Sequence, residues 1–174
     1  YVLADYKKKG IQMLASGSND KTIKLWNLSN RSLDTTLSGH TDTIFSLSTY
    51  MNDGKVFLAS GDFDVTIKIW DIENNAALIT TLRGHKDFVK SIKTYRFDGI
   101  PHLVSGDRDG TVKIWNLSTH TLMRTLHTQN KSITSLAVTN QNNKIIIACG
   151  LFNGAVEICD LENNSFTVSS SPSS

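Results

Sequence analysis

Cysteine is scarce in this sequence: only Cys149 and Cys159 occur among 174 residues. Two cysteines cannot build a disulfide framework, so the expected compartment is a reducing one, the cytoplasm, with the nucleus as the alternative. Proline is equally rare, at two residues, which excludes a proline-rich linker protein. No apolar run approaches the roughly 20 residues of a membrane-spanning helix, so no helix is expected to cross a bilayer. Neither sign of charge dominates. Eighteen Lys and Arg against sixteen Asp and Glu leave +2, which argues against a dedicated nucleic-acid binder, whose basic face normally rules the count. P-loop, H-E-x-x-H and Ca²⁺-loop patterns are absent, as is Gly-x-Gly between a strand and a helix, so no cofactor and no metal are expected. Tyr1 is not a methionine and no signal peptide precedes it, so the sequence reads as a piece of something longer or as a processed product. What remains is 39% hydrophobic and 20% charged, the balance of a globular chain with a sizeable core.

The strongest positive signal is self-similarity. SGSNDKTIKLWN from Ser16, SGDFDVTIKIWD from Ser60, SGDRDGTVKIWN from Ser105 and CGLFNGAVEICD from Cys149 align at intervals of 44, 45 and 44 residues. A second element, Gly-His, stands at Gly39-His40 and Gly84-His85, with a weaker Leu126-His127. Each unit reads as β structure. Thr66 to Trp70 alternates polar and apolar residues, which predicts a half-buried strand. Val56 to Ser60 is a short apolar run, which predicts a strand buried on both faces. Asp109-Gly110 and Asn153-Gly154 suit two-residue hairpin turns. The second unit then holds strands at about 44–50, 56–61, 66–70 and 77–82, and the turn clusters at 52–54, 73–75, 97–99 and 140–143 join strands as in a meander. No segment shows a helical period. A four-stranded unit cannot bury both faces alone, and radial stacking of such units solves that problem.

Gly-His, about twenty residues, Ser-Gly, Asp, then Trp-Asp or Trp-Asn resembles the WD-repeat β-propellers over nearly the whole chain. The resemblance implies an all-β fold of blades with four antiparallel strands each. The blades fall at 1–38, 39–83, 84–126 and 127–168, before a flexible Ser-rich tail at 169–174. It also implies a larger ring of about seven blades, so the remaining blades are expected from missing sequence or another chain. The first unit lacks its Gly-His because the chain starts inside that unit's first strand. The fourth unit is degenerate: Cys149 stands for Ser, Asn153 for Asp and Cys159 for Trp.

Ser60, Asp64 and His40 suggest a nucleophilic triad, and Ser105, Asp109 and His85 repeat it. A catalytic site rarely recurs in every unit of an array. The resemblance instead implies a structural tetrad in each blade, in which His, Asp, Ser and Trp satisfy one another's donors and acceptors. The expected sets are His40, Asp64, Ser60 and Trp70 in the second unit and His85, Asp109, Ser105 and Trp115 in the third. The first unit keeps Ser16, Asp20 and Trp26. The fourth loses the network, which leaves His127 without its aspartate and exposed. Cys149 and Cys159 would face each other on adjacent strands. A disulfide there is conceivable, but the reading favours two reduced buried thiols. Lys7-Lys8-Lys9-Gly10 reads as a solvated hairpin tip. The sequons starting at Asn27, Asn30, Asn116, Asn130 and Asn163 would be glycosylated in a secreted protein, but four lie at turns and an asparagine-rich, serine-rich composition explains them equally well.

In such propellers the loops between blades and the turn between the second and third strands share one face, the top. Carried onto this chain, that face holds Phe45, Phe63, Phe88, Lys90, Arg108 and Phe152. Aromatic and arginine side chains are typical interface anchors. The resemblance therefore implies a non-catalytic scaffold binding a protein or peptide on this face, with Lys90 and Arg108 tilting the partner toward an acidic or phosphorylated segment. The alternatives are the recognition domain of a larger enzyme or of a ubiquitin-ligase or kinase assembly, and, against the charge balance, nucleic-acid binding.

Overall fold

The computed structural model describes residues 1–130 and 132–170; the serine-rich end at 171–174 lies outside the described residues. Those residues form sixteen strands in four separate four-stranded antiparallel sheets and no helix. The first sheet holds β1 (Val2–Lys8), β2 (Ile11–Gly17), β3 (Ile23–Asn27) and β4 (Ser32–Leu37). The second holds β5 (Ile44–Asn52), β6 (Lys55–Asp62), β7 (Ile67–Asp71) and β8 (Ala77–Leu82). The third holds β9 (Val89–Phe97), β10 (Ile100–Asp107), β11 (Thr111–Asn116) and β12 (Thr121–His127). The fourth holds β13 (Ile133–Gln141), β14 (Lys144–Leu151), β15 (Val156–Asp160) and β16 (Ser165–Ser170). In each sheet the strands pair in chain order.

Two-residue turns set the register. Lys9-Gly10, Asp53-Gly54, Asp98-Gly99 and Asn142-Asn143 join the first two strands of the four sheets, and all eight residues have positive φ. That is the turn whose twist matches paired strands, and Gly, Asn and Asp tolerate it best. The Lys7 to Lys9 stretch accordingly sits at a hairpin tip, where Lys8 Nζ pairs with Asp34 at 3.3 Å.

Neighbouring sheets meet through their first strands, β1 on β5, β5 on β9 and β9 on β13. Each junction is one apolar cluster. Met13, Leu25, Leu47, Leu58 and Trp70 join the first sheet to the second. Ala59, Ile69, Ile92, Leu103 and Trp115 join the second to the third. Ile114, Ile133, Ile147, Cys159 and Phe166 join the third to the fourth. Leu58 and Ala59 are adjacent in β6 yet serve different junctions, because successive strand residues point to opposite faces. Where neighbouring sheets cover both faces, a strand has no solvent side. Hence β7 is buried at all five positions, including Lys68, and is not the half-buried strand its alternation predicts. Each fully buried Leu or Ile contributes about 1.5–3 kcal/mol.

The repeated Ser-Gly has a steric cause. A Cβ on Gly17 would lie 2.6 Å from Ile44 Cγ2, one on Gly61 2.6 Å from Ser46 Oγ and 2.8 Å from Val89 Cγ1, and one on Gly106 2.9 Å from Ile133 Cγ2. Ile44, Val89 and Ile133 each begin the next sheet's first strand. Glycine lets the next blade approach, so the motif encodes stacking.

Candidate functional site

The second and third sheets each contain a buried polar chain. His40 Nδ1 lies 2.5 Å from Asp62 Oδ2, and His40 Nε2 lies 2.6 Å from Ser60 Oγ. Trp70 Nε1 donates to Ser60 Oγ at 2.8 Å. His85, Asp107, Ser105 and Trp115 repeat the arrangement at 2.7, 2.6 and 2.9 Å. One tautomer satisfies the whole chain: indole N–H to serine, serine O–H to Nε2, and Nδ1–H to the carboxylate. Asp62 Oδ1 also accepts from Thr66 N and Oγ1, and Asp107 Oδ1 from the backbone N–H of Asp109 and Thr111. The network thus ties the inter-sheet loop to the turn and to the third strand. Ser60 and Ser105 are fully buried beneath it, and no substrate can reach them.

The carboxylate is therefore Asp62, not the expected Asp64, and Asp107, not Asp109. Asp64 is exposed and accepts from Thr41 Oγ1. Asp109 is exposed in its turn. Residues two positions after serine point to the same side of the strand as that serine, whereas positions 64 and 109 already lie in the turn. The first sheet has Ser18 at this position, so the expected Asp20 does not join Ser16 and Trp26. Asp20 accepts instead from Thr22 N and Oγ1, and these bonds hold its carboxyl low, at about 2. Trp26 Nε1 still donates to Ser16 Oγ at 2.8 Å. The sequence does carry a signal for the right aspartate. Asp62 and Asp107 occur only in the two units that also have Gly-His, whereas Asp64 and Asp109 have a counterpart, Asp20, in the unit without it.

The fourth sheet replaces the network. Gln129, not His127, stands twenty residues before Cys149, as His40 does before Ser60. His127 is exposed, with Thr111 Oγ1 3.3 Å from its Nδ1. Leu151 takes the carboxylate position. Glu157, fully buried, occupies the place of Lys68 and Lys113 and accepts from Gln129 N, Asn130 N and Asn130 Nδ2 at 2.8–3.0 Å. Cys149 and Cys159 are both buried and free. They are diagonal rather than opposite, since Cys149 pairs with Glu157 and Cys159 with Ile147. Burial pushes the Cys149 thiol up to about 12 and raises that of Cys159, which makes both poor nucleophiles.

The exposed constellation lies at the other end of these loops. Backbone bonds from Phe63 N to Thr43 O and from Arg108 N to Phe88 O fix each turn against the start of its own sheet's first strand. Phe63 stacks on Phe88 across the junction of the second and third sheets, with centroids 3.5 Å apart and planes at 24°. Phe45 tilts against Phe63 at 6.0 Å. Lys90 Nζ stands 4.1 Å from the Phe45 centroid, and the Arg108 guanidinium carbon 5.0 Å from that of Phe88. Five of the six expected partner-binding residues form this strip. Phe152 does not join it: it is 83% exposed and makes no ring contact among the described residues. Each cation on a ring face is worth about 0.5–1 kcal/mol at an exposed site. The strip is thus a preorganised surface, with Phe63 38% exposed at its centre.

The family model described as "WD domain, G-beta repeat" matches residues 9–27, 31–71 and 76–116. Among solved structures the chain is similar to one described as the structure of U3-55K and to the WD40 repeats of RRP9. Each is 25% identical, with a TM-score of 0.75 over 88% of this chain and 44% of the other. The chain therefore spans less than half the length of these matched structures. In all, 1361 solved chains match, so likeness to any one of them identifies an architecture and not a partner. Comparison with curated proteins finds no match.

Proposed function

The chain belongs to the WD-repeat family, whose domains are generally protein-interaction scaffolds, and on that premise we propose that it acts without catalysis, binding a partner protein through the top face of its second and third blades. The observation that carries this reading is the Phe45–Phe63–Phe88 stack, closed by a cation at each end. Rigid sheets hold it, and Phe63 at its centre is exposed where a plain solvated turn would carry a small polar residue. The buried tetrads support the same division of labour, since their serines and histidines are closed to substrate. An acidic or phosphorylated segment suits Lys90 and Arg108. A longer protein, or another chain, supplies the remaining blades. The reading holds equally if the propeller is the recognition domain of a larger enzyme or of a ubiquitin-ligase or kinase assembly, and the compartment that suits it is the cytoplasm or the nucleus.

The test is quantitative capture from cell extract with the wild-type chain and with Phe63→Ala combined with Phe88→Ala. Truncating a central aromatic anchor costs about 2 kcal/mol or more, which is roughly a 30-fold loss of affinity. Equal recovery by both proteins moves the binding face elsewhere. The specific rival is an apolar cleft of 220 Å³ between the third and fourth blades, lined by Tyr95, Phe97, His102, Met123 and Arg124.

A further inference from the structure

The cations at the two ends of the strip have donors to spare. Among the described residues, no carboxylate lies within ion-pairing distance of Lys90. Arg108 Nε lies 3.7 Å from Asp87 Oδ2, a long ion pair, and the Arg108 side chain is 56% exposed. Nearby carboxylates also brace the loops. Asp42 Oδ1 accepts from Thr43 N at 2.7 Å, Asp87 Oδ1 from Phe88 N at 2.8 Å, and Asp64 from Thr41. The strip is therefore positive at its ends, aromatic in its middle and flanked by fixed negative charge.

That pattern discriminates between ligands. A nucleic-acid strand carries a phosphate at every nucleotide, so it would bring charge past Asp42, Asp64 and Asp87 as well as to the two cations. A peptide can place its acids only where the cations stand. The rings favour the same choice: Phe63 already has Phe88 on one face, which leaves room for a side chain and not for successive stacked bases. Val65, in the turn beside Phe63, has φ +57°, at a position that is left-handed in every blade: Lys21 in the first, Gly110 and Gly154 in the third and fourth. A β-branched residue there is strained, and such strain concentrates at binding and switch sites.

We propose that the strip binds an extended partner segment with one aromatic or long aliphatic residue between two acidic residues. The apolar side chain lies against the Phe63 and Phe88 rings, and the carboxylates meet Lys90 and Arg108. Successive spacings along the strip of 4.1, 6.0, 3.5 and 5.0 Å limit its length. At ~3.3 Å per extended residue, the two acids stand no more than about six residues apart. This inference rests on the top-face reading and narrows it to a partner chemistry.

The test is selection from a random dodecapeptide library displayed on phage, with the full chain as bait, followed by titration of the recovered peptides as fluorescent synthetic probes. The expected consensus has an apolar residue flanked on both sides by Asp or Glu. Phe63→Ala should weaken the probes at least about 30-fold, and Lys90→Glu or Arg108→Glu about 10-fold each. These two charged side chains lie outside the apolar clusters, so their variants keep the test valid if Phe63→Ala unfolds, as thermal unfolding would show. Peptides with basic or neutral flanks that still depend on Phe63 overturn the partner chemistry and leave the top face standing. Peptides indifferent to all three variants overturn both readings. A selection without consensus, or a single-stranded oligonucleotide that displaces the probes at equal concentration, overturns the proposal.

Discussion

Replacing Asp62 and Asp64 separately by Ala asks which carboxylate holds the second blade together. The two residues are separated by one position in the chain, yet the expected outcomes differ several-fold. Asp62 is fully buried and serves His40 Nδ1, Thr66 N and Thr66 Oγ1. Its removal strands three donors at residues that are 2% and 7% exposed. A stranded buried donor costs about 1–3 kcal/mol, so three stranded together cost about 3–5 kcal/mol. For a chain of this length that is a fall in Tm of about 10 °C. Asp64 is exposed and loses only its contact with Thr41, so Asp64→Ala should stay within about 1 kcal/mol. Urea unfolding followed by tryptophan fluorescence reads this directly, because Trp70 ends the same chain of hydrogen bonds. Asp62→Ala combined with His40→Ala should cost much less than the sum of the single variants, since they break one network. Equal destabilisation by Asp62→Ala and Asp64→Ala would refute the assignment.

Other outcomes follow from the same geometry. Trp70→Ala removes a ring 2% exposed and should cost about 3–5 kcal/mol, against about 1–2 for Ser60→Ala; a Trp70→Ala protein with a wild-type unfolding midpoint and lost binding would contradict a structural role. Val65→Gly should stabilise by about 0.5–1 kcal/mol in thermal unfolding, since the left-handed strain exceeds the entropy that glycine adds to the unfolded chain. The Cys149 thiol keeps its proton to about 12 in the folded chain but ionises near 9 in the unfolded one. The unfolded state therefore binds fewer protons above pH 9, and stability should fall as pH rises past that value. A thiol-specific dye should leave both cysteines unlabelled at pH 8 until urea is added.

The repeat was legible because each blade solves the same packing problem with the same residues. Ser-Gly, Trp and the turn residues each answer a local demand, so their periodicity announces the architecture. What was not legible depended on neighbours. The alternation of Thr66 to Trp70 carries no information that a second sheet covers Lys68. Choosing Asp62 over Asp64 required knowing where strand becomes turn. The fourth blade hid most. In the first three, the last two strands bulge beside the tryptophan, and the partners Leu33, Leu78 and Leu122 are 44–47% exposed. In the fourth the bulge moves to Val156/Glu157, and Phe166, opposite Cys159, is 5% exposed. A large residue turned inward fills the space that the missing indole leaves, which preserves packing density. Cys159 alone reads as decay, whereas Cys159 with Phe166 is a repacked core.

Blade stability and the proposed partner recognition draw on different side chains at this end of the sheets. His40, Ser60, Asp62 and Trp70 are at most 7% exposed, whereas Phe63 and Arg108 face solvent one residue beyond the network's carboxylates. Adjacent residues can diverge this sharply because strand residues alternate in direction: Asp62 turns into the blade, and Phe63 turns out of it. The tetrad clamps the backbone of that turn through Thr66 N and the Trp70 indole, and so limits the conformations available to Phe63. The entropy of ordering the turn is met during folding rather than during binding, which is what preorganisation contributes to affinity. The fourth blade gives the contrasting case. Its turn lacks the carboxylate, since Leu151 stands there, and its aromatic residue, Phe152, points into solvent without a ring partner among the described residues. Where the clamp is present the phenylalanines form a surface, and where it is absent one remains single.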